Sequence, residues 1–335
     1  DREDRVTRRS LMFEASSHAD LLRNRAAEFA VDPMIGIHME IVSSIPQIAP
    51  ADAGQADALV AKASRTGVMF DQAMERLRQG VANRRTPPAI LVEKSLTQID
   101  DYLAAPIEGD PFLQIAPPPS MDAGAVEAWR ERMQAQVEGV VRPAFARYRE
   151  MVAGEVLPAA RPQEKTGLCW LPDGEEAYAR AVRAYTALDL DPLAVHQSGL
   201  DEITALEDEY RDMAAVALGT TDVATIYDRL RNDPALRFST SEEVEEHAAR
   251  ALARANEAVP GWFGRLPKAP CVVQRVPEVG ADDAPIAYYL DPAQDGSRPG
   301  TFFINVAPVS YTHLTLPTTD VGGGWGGGGG AGIGG

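Results

Sequence analysis

Between Pro285 and Pro308 the chain reads PIAYYLDPAQDGSRPGTFFINVAP, its densest run of strand-forming residues. Before residue 270 the pattern is different: apolar residues recur every three or four positions between proline and glycine breaks. Steps of three and four keep apolar groups on one stripe of a helix, whereas β-branched and aromatic runs between turn residues form strands. The two patterns together predict a mainly α fold. A large multi-helix domain occupies 1–270, and a small β-sheet occupies 271–308, near the C-terminal end of the native part.

In chain order, a charged amphipathic helix is expected over 1–30, ended by Asp32-Pro33. The apolar segment MIGIHMEIVSSI follows, then an Ala-, Pro- and Asp-rich linker. A second long helix is expected over 55–82 and a third over 88–104. The Pro-rich stretch from Pro106 to Pro119 reads as a long loop covering a surface. Residues 121–153 predict a long helix kinked at Pro143. Shorter helices are expected over 174–187, 221–232 and 241–264. Asp191-Pro192 starts another, as N-cap and first helical residue. Its stripe runs Leu193, His196, Leu200, Ile203, Glu207, Tyr210 and Met213, and Gly219 closes it. His196 on that stripe reads as a satisfied core histidine, with a cleft-lining one as the alternative. The strands are expected at Cys271–Val276, Ile286–Leu290 and Thr301–Val306.

The last stretch, VSYTHLTLPTTDVGGGWGGGGGAGIGG, has no core-forming pattern. VSYTHLTLPT is similar to one reading frame of a transposase-type sequencing adapter, and 11 of the 28 glycines lie in the final 14 residues. Residues 309–335 are therefore expected to be a non-native, adapter-like tail without fixed structure, the alternative being a natural Gly-rich linker. Asp320 is the one charge in that tail, so the net charge of −17 becomes −16 over residues 1–308. So acidic a chain argues against nucleic acid as its partner, because phosphate binding needs a basic face. No apolar run approaches the ~20 residues of a bilayer-spanning helix. No signal peptide is visible, but the chain opens without a start methionine, so compartment is open. The two cysteines, Cys169 and Cys271, imply no disulfide framework and read as buried free thiols.

Several blocks recur in a recognisable order: VRPAFARYREMVAGEVLPAAR, GLCWLPDGEEAYARAVRAYT, DPLAVHQSGLDEITALEDEY and IAYYLDPAQDGSRPGTFFIN. Their order and spacing resemble the bacterial domain-of-unknown-function family numbered 885. That resemblance implies a mostly helical, zinc-peptidase-like fold. It implies a zinc ion held by a His-Glu…His-His helix that follows the Asn-bearing strand in the intact protein. It also implies a peptide-like substrate whose amide bond is cut by metal-activated water. The present chain departs from the pattern at this point. Its histidines outside the tail, His18, His38, His196 and His247, have no His partner three to five residues away, and His313 lies in the tail. A catalytic zinc site needs about three protein ligands and an open position. No metal ligand or catalytic residue is therefore assigned, and the chain as written is expected to bind no zinc and to be an inactive fragment. A non-catalytic helical binding or scaffold protein is the alternative.

What the residues do offer is a substrate side. An edge strand, either Thr301–Val306 or Ile286–Leu290, could pair with an extended peptide through its unpaired N–H and C=O groups. The other reading is a sheet that only packs on the helices. Tyr288 and Tyr289 are adjacent, so at most one faces a cleft while the other packs. Either hydroxyl could bind substrate or a developing oxyanion. Arg298, in a loop restricted by Gly and Pro, could clamp a carboxylate bidentately or be an ordinary surface arginine. Asn305 could orient backbone or make a strand-end hydrogen bond. Asp295-Gly296 reads as turn chemistry, and Glu202 with Glu207, Asp208 and Glu209 as solvated helix surface.

Overall fold

The computed structural model describes residues 2–45, 48–234, 238–276, 281, 284–293, 296 and 298–307. Asp295, Pro308 and the whole of 309–335 lie outside the described residues. The protein is mainly helical, with a small three-stranded sheet towards its C-terminal region. It divides into two compact units, Asp1–Gly199 and Leu200–Gly335.

In the first unit, α1 (Arg2–Arg23) is followed by a short 3-10 turn and by α2 (Ile37–Ser44). The stretch expected to be one helix over 55–82 is two, α3 (Ala53–Ser64) and α4 (Thr66–Ala82). Asp52 starts α3 by accepting from Gln55 N, and the chain turns at Arg65, whose N–H bonds to Lys62 and Ala63 carbonyls. Periodicity alone misses such a break, because the stripe is apolar on both sides of it. Next comes α5 (Ala89–Ala104), and then the Pro-rich segment.

That segment is not a surface cover. Asp110, Phe112 and Ile115 are buried in the main core. Asp110 accepts from Phe112 N at 3.1 Å and Tyr102 Oη at 2.8 Å, and from Arg142 Nε at 3.2 Å. A buried carboxylate that meets three donors holds an irregular backbone inside a core without stranding its charge.

Beyond it run α6 (Ala123–Gln136) and α7 (Arg142–Met151). Each is followed by a π-helical turn, Val137–Val141 and Val152–Val156. Pro143 falls in the first turn of α7, just after the first of these. A proline has no N–H to give the carbonyl four residues back, and its ring crowds that carbonyl. The wider π turn, with Arg142 N–H reaching back to Val137 O, takes up the mismatch that was expected as a kink. Phe70, Phe145, Tyr148 and Tyr102 form the aromatic centre, with ring centroids 4.4–4.9 Å apart. Trp129 is buried beside it and donates to Ala56 O at 2.9 Å. The unit is completed by α8 (Gly174–Thr186), packed on α1, and the start of α9 (Pro192–Ala217).

Two expectations fail here. His196 is exposed, as are Leu193, Leu200, Ile203, Tyr210 and Met213 on the same stripe, and in α9 Ala214 alone is buried. Periodicity reports that a helix can bury a face, not that a partner covers it. Cys169 is also exposed, in a surface 3-10 turn, while Cys271 is half-buried; both are free thiols.

The second unit holds the rest of α9, α10 (Val223–Asn232), α11 (Ser241–Trp262) and the sheet. Thr240 caps α11 by accepting from Glu243 N. The strands are β1 (Cys271–Arg275), β2 (Ala287–Leu290) and β3 (Gly300–Ile304), in the order β1-β3-β2. The central β3 runs parallel to β1 and antiparallel to β2. Arg275 ties the sheet to α11 through Glu242 and Glu245, at 3.0 and 2.9 Å.

Candidate substrate-binding edge

Strand order decides which strand can receive a partner. With β1 on one side and β2 on the other, β3 is central and is not an edge. Its neighbour β2 is: among the described residues its outer side has no strand partner. The hydrogen-bond phase follows from the register. Asn305 N donates to Ile286 O at 2.8 Å, which marks 286–305 as a hydrogen-bonded pair. Antiparallel pairs alternate, so 288–303 and 290–301 bond in the same way. The main-chain N–H and C=O groups of Ala287 and Tyr289 then point away from β3, to the outer edge.

The two tyrosines part as their adjacency requires. Tyr288 stacks on Phe303, ring centroids 4.9 Å apart at 20°. Tyr289 lies on the opposite face and is 52% exposed. Its ring leans across Gly300, so close that a Cβ there would meet the hydroxyl at 2.0 Å. Glycine is thus required at 300 for Tyr289 to take this pose. Partial burial pushes the Tyr289 hydroxyl pKa up, Cys271 and Asp291 add to the shift, and Arg298 opposes it. Burial likewise raises that of Tyr288.

Arg298 lies beyond the ladder. Ala293 N donates to Arg298 O at 3.0 Å, a bond out of phase with the β2–β3 ladder, which ends at Leu290–Thr301. Side chains alternate along a strand, so Gly300 and Phe302 share the face of Tyr289, whereas Arg298 lies outside the strand. Its Nη1 is excluded from solvent and has no hydrogen-bond partner among the described residues. Asn305, by contrast, is buried and fully used within the chain. Its Nδ2 donates to Ala281 O (2.5 Å) and Ala284 O (3.2 Å), and its Oδ1 accepts from Ala307 N (3.0 Å). It fastens the segment before β2 to the end of β3. The structure thus brings Tyr289 and Gly300 together, leaves Arg298 beyond the end of the ladder, and places Tyr288 and Asn305 in packing and fastening positions.

A second polar cluster escaped the sequence reading. Arg85 is buried between Glu28 (Nε to Oε2, 3.3 Å), Asp173 and the Asn24 carbonyl. Arg180 reaches Asn24 Oδ1 at 2.6 Å, and Asn24 Nδ2 donates to Ala177 O at 3.1 Å. This network joins α8 and the segment after α1 to the end of α4, and it explains Asp173 in the LPDGE block. Its signal in sequence was weak, because its bonds join distant positions, 61 apart for Arg85 and Asn24 and 156 apart for Arg180 and Asn24.

Among the described residues, no three His, Cys, Asp or Glu side chains come together as metal ligands. His38 is buried against Gln98, His18 lies near Glu14 on α1, and His247 faces Phe238. The described residues therefore offer zinc no ligand set. No helix among them is long and apolar enough to cross a membrane.

Among the solved structures of similar fold is one described as "the putative lipoprotein from Colwellia psychrerythraea". It superposes with a TM-score of 0.74 at 20% identity, over 85% of this chain and 50% of that one. The chain therefore spans about half the length of the structure it matches. No curated protein matches it. A family model, described as bacterial protein of unknown function (DUF885), matches residues 1–321. By that match over nearly its whole length, the chain belongs to the DUF885 family of bacterial proteins.

Proposed function

We propose that this chain holds an extended, peptide-like substrate along the outer edge of β2, as the substrate side of a metal-dependent peptidase. The observation that carries the reading is the free antiparallel edge, with the main-chain groups of Ala287 and Tyr289 turned outward. Such an edge binds any extended backbone through paired N–H···O=C bonds and leaves side-chain choice to flanking pockets. Tyr289 and Arg298 supply donors beside it. Asn305 acts as a positioning residue, since its bonds set the register at which β2 leaves the preceding segment. Hydrolysis belongs to groups outside the described residues, and no step of it is assigned to Tyr289 or Arg298.

The test has two arms. An extended peptide is titrated against the protein beside a copy N-methylated at alternate residues. Edge pairing requires the methylated copy to bind about tenfold more weakly, since each removes a main-chain donor. Equal binding of the two removes the edge from the reading. The second arm follows cleavage by mass spectrometry, with and without a zinc chelator. Chelator-sensitive cleavage supports the peptidase. Binding with no cleavage favours the non-catalytic binding protein, which needs only the edge.

A further inference from the structure

We infer that Tyr288 forms an aromatic-recognition position on the β2 edge, so that the extended chain bound there is selected for an aromatic side chain at the residue level with Tyr288. The inference rests on the edge-strand reading above and adds the chemical class of the bound residue. Three observations converge on it.

The first is an open stack. Phe303, on the central strand, has Gln274 of β1 level with it on one side and Tyr288 of β2 on the other. Phe303 is buried, whereas Tyr288 is only half-buried. Beyond Tyr288 the sheet has no further strand among the described residues. The row Gln274, Phe303, Tyr288 therefore ends on an aromatic ring that has a strand neighbour on one flank and none on the other.

The second is spacing. The ring centroids of Tyr288 and Phe303 lie 4.9 Å apart, and the ring planes differ by 20°. Neighbouring strands lie about 4.7–4.9 Å apart. The two rings thus stack along the strand-to-strand direction at one ring per strand. A strand laid on β2 brings its own side chain one spacing further along the same row. A flat ring there continues the stack, at a separation that aromatic pairs favour, whereas a bulky aliphatic group meets the Tyr288 face without the π contact.

The third is the phase of the ladder. Tyr288 turns its main-chain groups inward to Phe303, while those of Ala287 and Tyr289 on either side of it turn outward. A residue opposite Tyr288 on an added antiparallel strand is therefore in a non-hydrogen-bonded pair, held between the bonds to Ala287 and Tyr289. Such pairs bring the Cα atoms to about 4.5 Å, closer than the roughly 5.5 Å of bonded pairs, so their side chains couple more strongly. On an added parallel strand the level residue faces the same side of the sheet. Leu290, two residues on and half-buried, shares that side and borders the position with apolar surface.

The experiment uses three fluorescein-labelled, amidated octapeptides of alternating Thr and Val, titrated by anisotropy. They differ at one central residue, which is phenylalanine, cyclohexylalanine or leucine. Cyclohexylalanine keeps the bulk of phenylalanine without its π face. The parent protein is expected to bind the phenylalanine peptide about three- to tenfold more tightly than the other two. Tyr288→Phe is expected to keep that preference and Tyr288→Leu to bring the three peptides to equal affinity. A second readout needs no loss of the ring: proton NMR of the parent with labelled tyrosines, in which Tyr288→Phe identifies the Tyr288 signal by its absence. The phenylalanine peptide is expected to move that signal upfield by its ring current, and the cyclohexylalanine peptide to leave it in place. Equal binding of the phenylalanine and cyclohexylalanine peptides overturns this inference and leaves the edge reading standing. A preference that persists in Tyr288→Leu, or a Tyr288 signal unmoved by the phenylalanine peptide, overturns it as well. Failure of every peptide to bind overturns both.

Discussion

Asp110→Asn is the most informative single change in the first unit. The carboxylate is fully buried and takes three donors: Tyr102 Oη, Phe112 N and Arg142 Nε. Asparagine keeps the shape and one oxygen, which can still accept from Phe112 N. Tyr102 can turn its hydroxyl to accept from the new amide. Arg142 cannot adapt in that way, because its Nε–H then faces an N–H, and its charge loses its partner. The arginine side chain is only 17% exposed, with Tyr102 beneath it and one further bond, to Ala105 O at 2.9 Å. Losing a charge-assisted bond costs about 1.5–3 kcal/mol. Stranding a buried cation costs about 3–5 kcal/mol, less here because Arg142 keeps some contact with water. The expected loss is about 3 kcal/mol, or about 6–12 °C in the melting temperature of a unit this size. The assay is urea unfolding followed by tryptophan emission. Trp129 is buried in the same core, whereas Trp170 and Trp262 are already exposed. Arg142→Met in the same chain should recover about half of the loss or more, since removing both charges leaves none stranded. An Asp110→Asn protein within about 1 kcal/mol of the parent refutes the reasoning. So does a double variant that loses the sum of the two single costs.

Two further expectations follow from buried groups. His38 is buried, its Nε2 lies 3.0 Å from Gln98 Oε1, and burial lowers its pKa from 6.5 against smaller upward pulls from Gln98 and Asp32. Above pH 6.5 neither state carries the proton. Below it the unfolded chain takes one up and the folded chain does not, so stability falls by about 1.4 kcal/mol per pH unit until the folded pKa is reached. Denaturation midpoints between pH 7.5 and 5 should show a shallower decline in His38→Gln, and superimposable profiles would count against a neutral buried imidazole. Gly80→Ala places a Cβ 1.9 Å from Glu28 O and 2.7 Å from Arg85 O, both main-chain atoms beside the buried Arg85 network. It should cost about 3 kcal/mol in a thermal melt. Gly199→Ala, with nothing near its Cβ, should raise stability by about 0.4–1 kcal/mol; equal behaviour of the two would show that the close approach is not real.

What could be read from residues alone tracks how local the cause is. The helices over 88–104, 174–187 and 221–232 and all three strands lie within a few residues of the expected places, because stripes, caps and turn residues act within one or two turns. The break at Arg65 was missed because no proline marks it and Gly67, two residues on, sits inside an unbroken apolar stripe. The burial of Asp110 and Phe112 was missed for a different reason. A Pro-rich composition signals irregular backbone, but the donors that make it tolerable inside, Tyr102 and Arg142, come from other elements. Strand order was not legible either. The last strand of a run is as good a candidate for an edge as its neighbour until pairing is known, and here β3 lies between the other two. On the candidate site, adjacency alone separated Tyr288 from Tyr289, whereas the close approach of Tyr289 to Gly300 needed the register. His196 shows the remaining limit: a stripe states what a helix can bury, not what is there to cover it.

The two π turns have the same spelling. Val137–Val141 and Val152–Val156 are both V-x-G-x-V, and each is followed by x-Pro, at Pro143 and Pro158. All four valines are buried. A π turn is geometrically an α-helix that has taken in one extra residue. Each heptapeptide therefore holds one residue more than the matching α turn, and its proline favours that form, because the α form would drive the ring into the carbonyl four residues back. A variant without the proline can be one residue shorter here and keep every flanking side chain in phase. A deletion elsewhere in α7 instead turns the rest of the helix by about 100° and carries Tyr148 out of the core. V-x-G-x-V-x-P is thus a place where a gap inside a helix is a correct alignment.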